Sequence, residues 1–181
     1  MLIEISSFCE LNARALMDIY AESNAENAAE LYPEMEKEAA VARIEKEFLE
    51  FLENTFFKSE ESKYCVLSEN GAWVSALRLC RVRGHEQKPD SALYYLEALE
   101  TSPELRRRGH AAKLLSLVIE KLKEGGAFSI RDCVSKRNAA SLKTHKKCGF
   151  RIVAEQGFDL LSDDPNRPKE NSFSLEYSFK G

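Results

Sequence analysis

Leu96-Glu97-Ala98-Leu99-Glu100-Thr101-Ser102-Pro103-Glu104-Leu105-Arg106-Arg107-Arg108-Gly109-His110-Ala111 runs from an apolar, strand-like segment through a Pro-Glu turn into the start of a helix. The amides of a helix's first turn have no partner inside the helix. The macrodipole adds partial positive charge there. An anion such as a pyrophosphate docks on those amides if the chain lets it come close. Gly109 and Ala111 are small enough for that approach, and Arg106, Arg107 and Arg108 add positive charge at its mouth. The residues alone specify an anion-binding helix start, and an arginine-rich, solvated helix start fits them as well. No GxxxxGK[ST] and no GxGxxG occurs, so neither common nucleotide loop is present.

Outward from this stretch, residues 92–101 form a central strand. Behind it, Ala111, Leu114, Leu115, Val118, Ile119 and Leu122 recur at helical spacing until Gly125-Gly126 ends the run. Residues 128–134 form another strand. Asn138 caps a helix to about Lys147, with Gly149 at its C-terminal end, and residues 150–154 return as a strand. Upstream, the pattern predicts a short strand over 2–5 and a helix over 10–20. Pro33 stands at a second helix start, with Ile44, Phe48, Phe51 and Leu52 on its apolar stripe. Two strands, at 63–67 and 72–79, flank the Asn70-Gly71 hairpin turn. Residues 84–91 and 162–171 are expected to be polar loops. Phe173, Leu175, Tyr177 and Phe179 alternate with polar residues in a last strand. Strand–helix–strand–helix–strand over 92–155 implies a mixed α/β sheet with helices packed on it.

Composition sets the outer limits. The 181 residues suit one domain of ordinary size. A net charge of -4 gives no general attraction to nucleic acid or to anionic membranes. The basic residues do gather between Arg106 and Arg151, but without aromatic interleaving, which weighs against nucleic-acid binding through Lys136, Arg137, Lys143, Lys146 and Lys147. Five cysteines without a CxxC pair predict free thiols in a reducing cytosol, with neither a disulfide framework nor a zinc site. Cys148 is expected to pack rather than react. The first residues lack a basic n-region and no segment is long and apolar enough to span a membrane, so a cytoplasmic location is expected.

The opening stretch resembles the acetyl-CoA motif of the GNAT N-acetyltransferases: a strand, a Pro-Glu turn, then [Arg/Gln]-x-x-Gly-x-[Gly/Ala] opening a helix. Arg106, Gly109 and Ala111 stand at those offsets. A second block, Asn138-Ala139-Ala140-Ser141 followed by Gly149-Phe150, is similar to that family's Asn-x-x-[Ala/Ser]…Gly-Phe. The two blocks arrive in family order, and the likeness covers most of residues 63–181. The resemblance implies an α/β (α+β) fold: one N-acetyltransferase domain over 1–181, with a mixed, mostly antiparallel sheet, a splayed parallel central pair and flanking helices. Within it, 1–58 would hold the N-terminal strand and two helices, 63–155 the acyl-CoA-binding core, and 149–180 the C-terminal hairpin strands.

The resemblance also implies an acetyltransferase that moves an acetyl group from acetyl-CoA, as co-substrate and without a metal, to a primary amine by direct attack. The alternative is a non-catalytic acyl-CoA-binding module. Leu99 and Thr101 would offer backbone groups to the pantetheine arm. Residues Arg106, Arg107, Arg108, Gly109, His110 and Ala111 would hold the pyrophosphate, with His110 acting through its backbone, and Asn138 would sit near the pantetheine.

Glu97 is the expected base, with a structural or substrate-orienting carboxylate as the other reading, because period-2 alternation puts it on one strand face with Leu99 and Thr101 and puts Glu100 on the other. In the family a tyrosine seven residues after the asparagine protonates the leaving thiolate; here that residue is His145. An imidazolium is a stronger acid than a phenol, so His145 is the expected general acid, with a solvent-facing place on a basic helix as the other possibility. The expected partner is a small-molecule or peptide amine, with no nucleic acid and no membrane, and the protein a monomer or homodimer. Glu36, Glu45 and Glu47 form either a rim for that amine or a solvated helix face.

Overall fold

The computed structural model describes residues 1–84, 91–162 and 164–181. Of the polar stretch expected over 84–91, residues 85–90, His85 among them, lie outside the described residues. In chain order the elements are β1 (Leu2–Ile5), α1 (Ala13–Leu31), α2 (Lys37–Asn54), β2 (Ser62–Glu69), β3 (Ala72–Arg81), β4 (Ala92–Thr101), α3 (His110–Lys123), β5 (Phe128–Ser135), α4 (Ala139–Lys147), β6 (Arg151–Ala154), β7 (Gly157–Phe158), β8 (Pro168–Lys169) and β9 (Ser172–Phe179). Seven strands form one sheet in the order β1-β2-β3-β4-β5-β9-β6, and β7 pairs with β8 beside it. Every pairing is antiparallel except β4 with β5.

The sheet is covered on both faces. Leu114, Leu115, Val118 and Ile119 of α3 bury against Leu77, Leu79, Leu96, Ile130 and Val134, and Leu142 of α4 packs at the edge of that cluster. On the other face Leu16, Ile19 and Tyr20 of α1 and Leu52 of α2 meet Tyr64, Val66 and Ala76. Side chains that alternate along β2 and β3 therefore feed two different cores, which is why these strands are apolar on both sides.

Three local expectations need correction. Helix α1 runs to Leu31, eleven residues past the end expected from its apolar stripe. Beyond Tyr20 the stripe is replaced by Ala, Glu and Asn. Alanine and glutamate keep helix propensity high, and the small Ala28 packs on Ala40 and Ile44 of α2. Pro33 does not open α2. It lies in a turn closed by the Met35 amide on the Tyr32 carbonyl at 3.0 Å, and α2 begins at Lys37. The 162–171 stretch is not all loop, since Pro168 and Lys169 pair with Phe158 and Gly157. Two-residue strands are too short to leave a periodic signal. The last strand, β9, lies between β5 and β6 and is bonded on both sides.

Candidate active site

Strands β4 and β5 pair only from Ala92 with Phe128 to Tyr95 with Arg131. Beyond Leu96 and Asp132 they part. The cause lies in β4. Ser75 stands opposite Thr101 and Ala76 opposite Glu100, but Arg78 stands opposite Glu97, so Ala98 and Leu99 together face Leu77. This is a β-bulge, with Ala98 at φ 51° in the left-handed region. That conformation costs an alanine about 1 kcal/mol. The hydroxyl of Tyr20, from α1, donates to the Ala98 carbonyl at 2.6 Å and Ser75 Oγ donates to the Glu100 carbonyl at 2.5 Å, so the bent segment is anchored from β3 and α1.

The parted strands open a cleft of about 840 Å³. Leu99, Thr101, Arg106, Arg107, Gly109, His110, Ala111 and Asn138 all line it, whereas Arg108 is exposed outside the lining. At one end is the α3 N-terminus. Gly109 is its cap at φ 85°, and Arg107 at φ 62° turns the chain into it. The first amide to bond back is that of Lys113, to the Gly109 carbonyl, which leaves the preceding amides directed at the cleft. A Cβ built on Gly109 would meet nothing within 4 Å, so that surface is open to a ligand. Arg106 pairs with Glu22 of α1 and its Nε donates to the Thr101 carbonyl at 3.3 Å. His110 turns its ring toward Glu69 at 3.5 Å. Asn138 caps α4 by accepting from the Ser141 amide at 2.9 Å. Open strand edge, free helix amides and arginines fit a long thioester carrier ending in phosphates.

The carboxylates are placed differently from the alternation rule. Because the bulge inserts one residue, Glu97 shares its face with Arg78, Ala76 and Glu100, while Leu99 and Thr101 lie on the opposite face with Ser75. Glu97 is outside the lining of the large cleft, on the α1–α2 side, 3.3 Å from the Arg78 guanidinium, whereas Glu100 of the same face does line that cleft. Burial pushes its carboxyl up; Arg78 pulls it down, and Asp159 and Asp132 push it further up. Glu100 is raised as well, by burial, against a hydrogen bond from Ser23. Arg78 itself is held 5.2 Å from the centroid of Phe51, with Phe48 and Phe56 beside it. On this side a second cleft of about 440 Å³ opens between β5, β6 and the β7–β8 ribbon, lined by Arg131, Phe158, Leu160 and Glu176.

His145 is wholly buried, not solvent-facing, and does not line the large cleft. Its Nδ1 is 2.9 Å from the Ser141 carbonyl, its Nε2 is 2.8 Å from Asp132 Oδ2, and its ring meets Phe150 edge-on at 4.9 Å. The Nε2–H direction is off the line to the oxygen, so the contact is an ion pair rather than an aligned hydrogen bond. Burial lowers the imidazole pKa, but the Asp132 carboxylate and the Ser141 carbonyl raise it by more, and the net shift is upward. Asp132, which borders both clefts, was not singled out from the sequence. Its signal was there: Phe128, Ile130, Asp132 and Val134 share one face of β5, and a carboxylate in an apolar stripe needs a partner. Cys148, half-buried with its thiol raised by burial, packs near Ser116 and the Ala112 carbonyl. Glu47 is bound to Arg43 and Tyr32 on the exposed face of α2.

The model of the acetyltransferase (GNAT) family matches residues 15–150. The chain belongs to that family. It is an acetyltransferase, of the class that moves acyl groups from acyl-CoA to nitrogen. Solved structures with the same fold include the PaiA N-acetyltransferase of Thermoplasma acidophilum in complex with coenzyme A, 18% identical over 99% of both chains with a TM-score of 0.60. The IAA acetyltransferase of Bacillus cereus is 16% identical over 99% of both chains, TM-score 0.58. The ribosomal-protein-alanine N-acetyltransferase of Brucella melitensis is likewise 16% identical over 99% of both, TM-score 0.58. No curated protein matches the sequence. The GNAT fold accounts for the single parallel strand pair and for the cleft it opens. Among the described residues no helix is long and apolar enough to cross a membrane, and no group of three or more His, Cys, Asp or Glu could hold a metal.

Proposed function

We propose that this acetyltransferase takes acetyl-CoA in the large cleft and transfers the acetyl group directly to an amine that arrives from the α1–α2 face, with Glu97 as the base. The observation that carries the proposal is the bulge at Ala98. It leaves Leu99 and Thr101, which lead into the 106–111 turn, on one face of β4 and the half-buried Glu97 carboxylate on the other. In this scheme the amides after Arg107 and the Arg106 and Arg107 side chains hold the pyrophosphate, the open edge at Leu99 and Thr101 holds the pantetheine, and Asn138 borders it.

An ammonium has no lone pair, so the acceptor must lose a proton before it attacks the thioester carbonyl. A carboxylate whose pKa burial has raised accepts that proton, directly or through a water, more readily than an ordinary one. Glu100 shares this face and is raised too, which makes it the competing base. The acidic surroundings of Glu97, Asp132 and Asp159 suit a cationic small-molecule or peptide amine. The free thiols fit a cytoplasmic protein, and 1–181 is taken as one domain, as monomer or homodimer.

The test is acetyl-CoA with a panel of amines and a thiol reagent, on wild type, Glu97→Gln and Glu100→Gln. Thiol release that depends on an amine, and that collapses in Glu97→Gln while CoA still binds, is the expected result. CoA binding without thiol release across the panel would return the chain to a binding module. Collapse in Glu100→Gln alone moves the base to that residue.

A further inference from the structure

His145 and Asp132 are buried together where β4 and β5 part. His145 is fully buried and Asp132 8% exposed, and Asp132 is the first residue of β5 past the last β4 pair. Their proton count follows from geometry. The Ser141 carbonyl can only accept, so the Nδ1 facing it at 2.9 Å carries hydrogen. Nε2 and Asp132 Oδ2, 2.8 Å apart, are closer than two bare acceptors tolerate. One further proton therefore resides between Nε2 and Oδ2. The pair is either imidazolium with carboxylate or imidazole with carboxylic acid, and titrates as a unit. Asp132 is the titratable group that faces the ring, from β5; α4 presents the Ser141 carbonyl and hydroxyl, and the segment after it the Phe150 ring. Of the two, only Asp132 borders the large cleft.

We infer that Asp132 delivers the proton of this pair to the leaving sulphur, and that His145 is the positioning residue that holds that proton in place. The inference rests on the acyl-transfer reading above. When the carbon–sulphur bond of the thioester breaks, its electron pair leaves on sulphur. The sulphur takes the proton from the Asp132 carboxyl and departs as the thiol, leaving neutral imidazole beside a carboxylate. The second proton that the acceptor nitrogen loses as the amide forms returns to the pair through water, so protons balance. His145 thus serves the family's acid step from behind Asp132 rather than by touching the substrate.

The experiment uses the full chain with histidine labelled for NMR, and compares CoA with desulpho-CoA, which lacks only the sulphur. His145 is assigned by its loss in His145→Gln. The expected result is that CoA displaces the His145 titration by roughly half a pH unit or more relative to desulpho-CoA, because a thiol within hydrogen-bond reach of Asp132 favours one protonation state of the pair and a distant one does not. In turnover with an amine from the panel, Asp132→Asn is expected to lower kcat about 100-fold, the usual weight of a general acid, with the Kd for CoA changed less than about twofold. It also removes the alkaline limb of the kcat profile, and His145→Gln moves that limb to lower pH.

Equal titrations with CoA and desulpho-CoA would overturn the inference, and so would an Asp132→Asn enzyme that keeps kcat and both pH limbs. The ligand comparison needs no variant, so it decides even if Asp132→Asn fails to fold. Failure to bind CoA at all would overturn the acyl-transfer reading first, and this one with it.

Discussion

The turn over residues 106–111 and the buried titratable residues Glu97, Asp132 and His145 are built by different physics. The turn is assembled from consecutive residues. Gly109 at φ 85° caps α3, the arginines stand beside it, and its ligands are backbone amides that any such sequence would present. The second group comes from β4, β5 and α4, and its chemistry depends on burial. Glu97 is raised by desolvation, and His145 is raised because Asp132 is against it. The turn should govern affinity for CoA and the buried group the rate, and each can be altered without the other.

The largest separation is expected at Glu97. Replacing it with Gln should lower kcat about 100-fold, roughly 2.7 kcal/mol, while the Kd for CoA, read by calorimetry, stays within about twofold. As the proposed base, Glu97 works in its carboxylate form. Wild-type activity therefore falls as pH drops through its pKa, which lies above the ordinary 4.5, and the variant loses this acid limb. A parallel loss of CoA affinity would mean that Glu97 shapes the cleft instead.

Next is Gly109→Ala. The new Cβ meets no protein atom, so its cost to folding is the left-handed conformation alone, about 1 kcal/mol. It projects where the phosphates are expected, and the Kd for CoA should rise about tenfold, near 1.4 kcal/mol. A variant with unchanged Kd and a lowered Tm would place the anion elsewhere.

Tyr20→Phe tests the bulge that separates the two faces of β4. Losing the 2.6 Å hydrogen bond leaves the Ala98 carbonyl without its hydroxyl donor, at about 1–3 kcal/mol of stability by denaturant titration. Activity should fall with it, since Glu97 and Leu99 would no longer be held on opposite faces.

The smallest effect is expected from Asn138→Ala, which removes the α4 cap. Stability should drop by about 1 kcal/mol, with CoA affinity lowered severalfold at most.

Much of the fold was legible because its determinants are local. The span of β4, the Asn70-Gly71 turn and the Asn138 cap fall where the pattern puts them. Where legibility failed, something distant intervened. Ala98 has no sequence mark of a bulge, and one inserted residue inverts every later side chain, so Glu97 and Thr101 part company. His145 sits among Thr144, Lys146 and Lys147, which describe an exposed helix; only the packing of α4 on β5 turns it inward onto Asp132.

The sequence by itself determined an arginine-flanked, glycine-capped helix start with free amides ahead of a second capped helix, because six neighbouring residues suffice to set φ, charge and free amides. Only the tertiary structure decided which carboxylates face which side of β4 and which group stands behind the cleft wall. Side-chain direction past a bulge and the pKa of a buried group are set by neighbours up to tens of residues away along the chain, and spacing alone does not record them.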